Sequence, residues 1–139
     1  MSILAFDVGT KRIGVAVSDP GETFALPVGT IARTNMRADF ERISEYVQSY
    51  GAKELVVGDP VMLSGERGIA AEKMDAFVER LRKVFTGPIH RIDERLTTAQ
   101  ATKTLLAADV SRAKRKKVVD TIAAALILES FLARRRNAS

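Results

Sequence analysis

The chain has 139 residues, 46% of them hydrophobic, which suits one compact domain with a real core, and it has no cysteine, which excludes a disulfide framework and thiolate metal sites. Its 22 basic residues against 17 acidic ones give a net charge of +5, and with a sequence pI near 9.8 a polyanionic partner fits this balance without being required by it. The apolar runs are short and interrupted and no charged, apolar leader opens the chain, so the expectation is a soluble, cytoplasmic protein with no membrane segment, a single domain over 1–139.

Residues 5–19 read as a hairpin: an apolar strand ending at Asp7, a tight turn through Gly9, and a second strand in which Ile13, Val15 and Val17 share one face. Asp7 has two readings here. Its carboxylate can cap the turn by accepting from the amides of Gly9 or Thr10, or it can be a metal ligand or catalytic acid beside Lys11 and Arg12. After a loop at 20–23, a third strand is predicted over 28–31, antiparallel to the second. The period then changes: over 37–50, Phe40, Ile43, Tyr46, Val47 and Tyr50 fall on one helical face, and Gly51 supplies the stop. Residues 53–58 form a buried strand, parallel to the first because it follows a crossover helix.

The loop 58–68 is rich in turn residues; its glycines and Arg67 suit either a phosphate cradle or an ordinary strand-to-helix connection. A helix follows with Ala70, Met74, Phe77, Val78, Leu81 and Phe85 inward. After Gly87-Pro88, residues 89–92 make a fifth strand whose tip carries Asp93, Glu94 and Arg95, and Thr97 or Thr98 can cap a helix containing Ala101, Thr102, Leu105 and Leu106. A basic segment at 111–117 precedes a last helix with Val119, Ile122, Ala123, Leu126, Ile127 and Phe131 in a stripe, and the tail 134–139 is expected to be frayed and exposed.

Three meander strands followed by right-handed crossovers give an α/β fold, a mixed five-stranded sheet with helices on its faces. The first, fourth and fifth strands then end on one edge, where Asp7 and Glu94 meet and the last helix can bring Asp120. Three converging carboxylates repel one another unless a cation lies between them. Oxygen ligands with open positions suit Mg²⁺ or Mn²⁺ and phosphodiester hydrolysis. The lone His90, inside a strand, is read as structural.

The chain resembles the YqgF/RuvX family, Holliday-junction-resolvase-like proteins and candidate pre-16S rRNA nucleases of the ribonuclease H-like superfamily. The resemblance runs almost end to end. Its carriers are Phe6-Asp7-Val8-Gly9-Thr10-Lys11-Arg12-Ile13-Gly14-Val15-Ala16, Val57-Gly58-Asp59-Pro60 with the Gly65 loop, Asp93-Glu94-Arg95-Leu96-Thr97-Thr98, and Asp120-Thr121-Ile122-Ala123-Ala124. It implies a ribonuclease H-like fold, maturation of the 5′ end of 16S rRNA precursor, and Asp7, Glu94 and Asp120 as the acidic set. Asp59 departs from the family, which more often has an apolar residue between this Gly and Pro; it is read as a cap. Alternation sends Asp93 and Glu94 to opposite faces, and the choice of Glu94 rests on the resemblance.

The expected activity is thus that of a metal-dependent endonuclease. Asp7, Glu94 and Asp120 would bind Mg²⁺ or Mn²⁺, and Lys11, Arg12, Arg95, Lys114, Arg115 and Lys116 would contact phosphates of an rRNA precursor or branched nucleic acid, alone or on the ribosome. A junction resolvase and a non-catalytic RNA-binding assembly factor remain as alternatives, and monomer and homodimer both stay open. An actin-like or sugar-kinase-like ATP-binding protein shares the Asp-x-Gly-Thr turn but needs two related domains, for which this chain is too short.

Overall fold

The computed structural model describes residues 2–9, 11–59, 69–93 and 112–138; at 59, 69–71, 93, 112–121, 137 and 138 it describes the backbone alone. The chain runs β1 (Ser2–Val8), β2 (Arg12–Ser18), β3 (Ala25–Ala32), α1 (Met36–Tyr50), β4 (Ala52–Asp59), α2 (Ile69–Val84), β5 (Ile89–Asp93) and α3 (Arg112–Ala138). The five strands form one sheet in the order β3-β2-β1-β4-β5. The two hairpin pairings are antiparallel, whereas β4 and β5, each entered after a helix, are parallel to β1 and to each other.

Strand alternation divides the core in two. Leu4, Phe6, Ile13, Val15, Leu55 and Val57 face α1 and α2, where they meet Phe40, Ile43, Met74, Phe77, Val78 and Leu81. Ile3, Ala5, Ala16, Val56 and Ile92 face the other way, under Ala124, Ala125, Ile127, Leu128, Phe131 and Leu132 of α3. Small residues on both surfaces let α3 lie close across β2, β3 and β1. The sheet is therefore covered on both sides, as parallel strands require.

Helix α1 starts where the Asn35 side chain accepts from the Ala38 amide at 2.9 Å and stops at Gly51, whose φ of 57° and ψ of 47° place it in the left-handed region that a glycine adopts without strain. Among the described residues the expected elements are present, and the strand most extended is β3, which gains residues at both ends of the predicted 28–31.

Two expectations are corrected. The basic run does not precede the last helix as a separate segment: α3 begins at Arg112, so the run forms its first turns. Nor is the tail frayed, because the helix continues to Ala138 and Arg135 is bonded to the sheet. Its guanidinium donates to both Glu54 oxygens, at 2.6 and 2.8 Å, and to Glu22 at 3.2 Å, and lies 4.5 Å from the Phe131 ring centroid. Arg135, with a smaller effect from His90, holds the Glu54 carboxyl at about 2, well below its ordinary 4.5. The helix predicted around Leu105 and the loop 60–68 lie outside the described residues.

Candidate active site

The Arg135–Glu54 contact fixes the direction of α3. Glu54 lies near the start of β4 and is paired with Ile3 in β1, so the C-terminal end of α3 sits over the strands' N-terminal ends. The helix therefore runs antiparallel to β1, and its earlier turns lie toward the carboxyl ends of β1, β4 and β5.

Asp7 sits at that carboxyl edge, one residue before the end of the central strand, and is only 8% exposed. By parity it shares the face of Ile3 and Ala5, the face under α3. Across β2 its register partner is Gly14; on the β4 side, Gly58 follows the residue paired with Phe6. Neither neighbour carries a side chain, so the strands themselves put no bulk beside this nearly buried carboxylate. Such an oxygen donor needs a positive or hydrogen-bonding partner. The turn-capping reading is weakened at one of its two amides, since the Gly9 N–H donates to the Arg12 carbonyl at 2.8 Å.

Asp120 belongs to α3, one turn before Ala124. That turn is about 6 Å of helix, and Asp7 lies about 7 Å of strand beyond Ala5; Ala5 and Ala124 belong to one core cluster. Both positions are on the α3 side of the sheet, and the direction of α3 carries Asp120 toward the carboxyl ends of the strands. Glu94 and Arg95 lie outside the described residues, and Lys114, Arg115, Lys116 and Asp120 are placed by backbone alone, on the first turns of α3. Lys11 is exposed and Arg12 half-buried, both at the turn following Asp7. Along β5, Ile89 packs on the α1/α2 side and Arg91 pairs with Asp75 of α2 at 2.7 Å, while His90 and Ile92 face α3. His90 lies 2.9 Å from Glu54 and 4.5 Å, ring to ring, from Phe131, a packing position away from the acidic edge.

A family model described as "RuvX: Holliday junction resolvase" matches residues 1–134. The chain belongs to the RuvX family. A relative from Thermoanaerobacter pseudethanolicus is 44% identical over 138 residues, 99% of each chain, and one from Moorella thermoacetica is 46% identical over 134 residues, 96% of each; both are named "Putative pre-16S rRNA nuclease". Among solved structures, Thermus thermophilus RuvC in complex with Holliday junction substrate superposes with a TM-score of 0.57 at 15% identity, covering 97% of this chain and 96% of that one. Fowlpox virus resolvase in complex with Holliday junction DNA gives 0.59 at 12%, covering 97% and 99%. At these identities the likeness is one of fold, and it makes this RuvX-family sheet ribonuclease H-like.

Two features of the family chain escaped sequence reasoning. One is the Arg135–Glu54–His90 group. The other is Arg33, which donates to the Gly9 carbonyl at 2.8 Å and pairs with Asp39 at 3.3 Å. Neither pair of partners shares a strand or helix period, so no pattern announced them. Only the place of Asp39, an acid beside Phe40 and four residues before Ile43 on the apolar stripe of α1, offered a signal.

Proposed function

We propose that this chain is a divalent-metal-dependent endonuclease that processes the 5′ end of pre-16S rRNA. Supporting this are the family, the nuclease names of its relatives, and one observation that carries the reading: a nearly buried carboxylate near the end of the central strand, beside Gly14 and Gly58, on the sheet face covered by the helix that contains Asp120. In β5 the even positions His90 and Ile92 face α3, which gives Asp93 the parity of the opposite face and leaves Glu94 as the third acid.

The residues present suit a hard cation. Asp7, Glu94 and Asp120 would hold Mg²⁺ or Mn²⁺ through hard carboxylate oxygens, and the strand positions beside Asp7, Gly14 and Gly58, add no side chain of their own. When bound, such an ion supplies charge neutralisation at the phosphodiester and lowers the pKa of the attacking water. The chain's own part is positioning: Lys11, Arg12, Arg95, Lys114, Arg115 and Lys116 bind the phosphate backbone and align it over the acidic edge, without reading its sequence. The protein would act in the cytoplasm, on free precursor or on the ribosome.

The family description and the fold shared with resolvases favour a second substrate, the four-way DNA junction. Both substrates, offered separately with Mn²⁺, decide between them. Cleavage of the 5′-extended 16S fragment alone supports rRNA processing, and paired symmetric nicks in the junction alone support resolution. Binding of RNA with no cleavage of either overturns the nuclease reading in favour of an assembly factor.

A further inference from the structure

Arg33 follows β3 in the loop leading to α1, and its polar groups converge on the turn behind Asp7. Its own amide donates to the Lys11 carbonyl at 2.9 Å, and Nη1 donates to the Gly9 carbonyl at 2.8 Å. Nε donates to Oδ2 of Asp39 at 3.3 Å, Nη2 approaches Met36 Sδ at 3.8 Å, and the guanidinium carbon lies 6.0 Å from the Phe77 ring centroid. Asp39, only 2% exposed, uses Oδ1 to accept from the Thr34 amide at 3.1 Å. A planar fork thus links the turn to a buried carboxylate in the first turn of α1.

The turn has little slack. The Gly9 amide donates to the Arg12 carbonyl at 2.8 Å, and a Cβ placed on Gly9 would stand 2.9 Å from that same oxygen. Both main-chain groups of Gly9 are therefore held, two residues after Asp7 and on the turn that carries Lys11 and Arg12. Asp39 balances the charge of Arg33 and the guanidinium is turned to the protein, so its role differs from that of a phosphate contact.

We infer that Arg33 is a positioning residue for the proposed active site: through the Gly9 carbonyl it fixes the β1–β2 turn, and so the geometry of Asp7 relative to a phosphate bound by Lys11 and Arg12. Asp39 is its anchor. The inference rests on the nuclease reading, in which a misplacement of about 1 Å costs on the order of a hundredfold in rate.

The test compares wild type, Arg33→Met, Arg33→Lys and Asp39→Asn below their own melting temperatures, by RNA cleavage and by calorimetric titration with Mn²⁺ alone. Arg33→Met should lower kcat about a hundredfold with KM within about threefold, and should weaken Mn²⁺ binding about tenfold. Arg33→Lys keeps one donor for Gly9 and should recover at least tenfold of the lost rate; Asp39→Asn should lower kcat about tenfold. A reduced melting temperature with unchanged kcat and Mn²⁺ affinity makes Arg33 a stability residue and overturns the inference. Should Arg33→Met not fold, wild-type kcat in both Arg33→Lys and Asp39→Asn overturns it equally. If wild type binds Mn²⁺ but cleaves nothing, the nuclease reading fails by itself; Mn²⁺ affinity then decides for Arg33, with weakening as support and no change as refutation. Wild type that binds no Mn²⁺ overturns both.

Discussion

Replacing Arg135 with alanine removes the contact that ties the far end of α3 to the sheet, and its cost follows from the geometry. The guanidinium holds both oxygens of Glu54, whose side chain is 14% exposed, and covers the Phe131 ring. Lowering the Glu54 carboxyl from 4.5 to about 2 corresponds to roughly 3 kcal/mol. His90 shares in that effect and the outer side of the cluster meets water, so Arg135 contributes about 1.5–2 kcal/mol of it, with about 0.5–1 kcal/mol more from the ring contact. A loss of about 2–3 kcal/mol lowers the melting temperature by about 8 °C in a domain of this size. Because the folded-state pKa is depressed, the stabilisation is complete above the unfolded pKa near 4.5 and is lost as pH falls through about 2. Thermal unfolding by circular dichroism should therefore show a constant gap between wild type and Arg135→Ala from pH 7 to about 5.5, shrinking below pH 4. A gap under about 2 °C at pH 7, or one unchanged at pH 2.5, refutes this account of how α3 is held. Below the variant's melting temperature, cleavage should stay within about threefold of wild type, since Arg135 lies at the opposite end of α3 from Asp120.

Other perturbations bear on the acidic edge. Gly9→Ala places a methyl against the Arg12 carbonyl and should cost about 1–2 kcal/mol by denaturant unfolding while lowering kcat; unaltered stability would mean the turn is looser than its 2.9 Å contact indicates. Lys114→Gln and Lys116→Gln together should weaken RNA binding at 100 mM salt and reduce the dependence of log Kd on log salt by about 1–2, measured by filter binding; an unchanged slope removes these residues from the phosphate contacts. Gly14→Val adds a branched side chain at the strand position beside Asp7 and should weaken Mn²⁺ binding in calorimetry by tenfold or more, whereas equal affinity would place the cation elsewhere.

Hydrophobic period made most of the fold legible. The alternation of Ile13, Val15 and Val17, the helical face through Phe40 and Ile43, and the stripe through Ala123, Ile127 and Phe131 each report burial, whereas Tyr50, at the end of the α1 face, is exposed. The strand ends followed, placing Asp7 at the carboxyl edge. Polar contacts between distant segments were not legible. The charged tail at 134–139 looked solvated because nothing local shows that Glu54, some eighty residues earlier, waits at the start of β4. The Arg33–Gly9 bond was hidden for the same reason: it joins two loops, and loops carry no period. The basic run at 111–117 reads as a segment ahead of the last helix because it carries no apolar stripe, yet from Arg112 it forms the first turns of a helix whose later turns are anchored in the core.

The central claim is that Asp7 and a divalent cation together cleave RNA. A 5′-extended 16S precursor fragment incubated with wild type and Asp7→Asn, each with Mn²⁺, Mg²⁺ or EDTA, tests it most directly. The account predicts cleavage by wild type with metal only, and none by Asp7→Asn even though that protein folds and still binds the RNA. Cleavage by Asp7→Asn at the wild-type rate, or by wild type in EDTA, would contradict it.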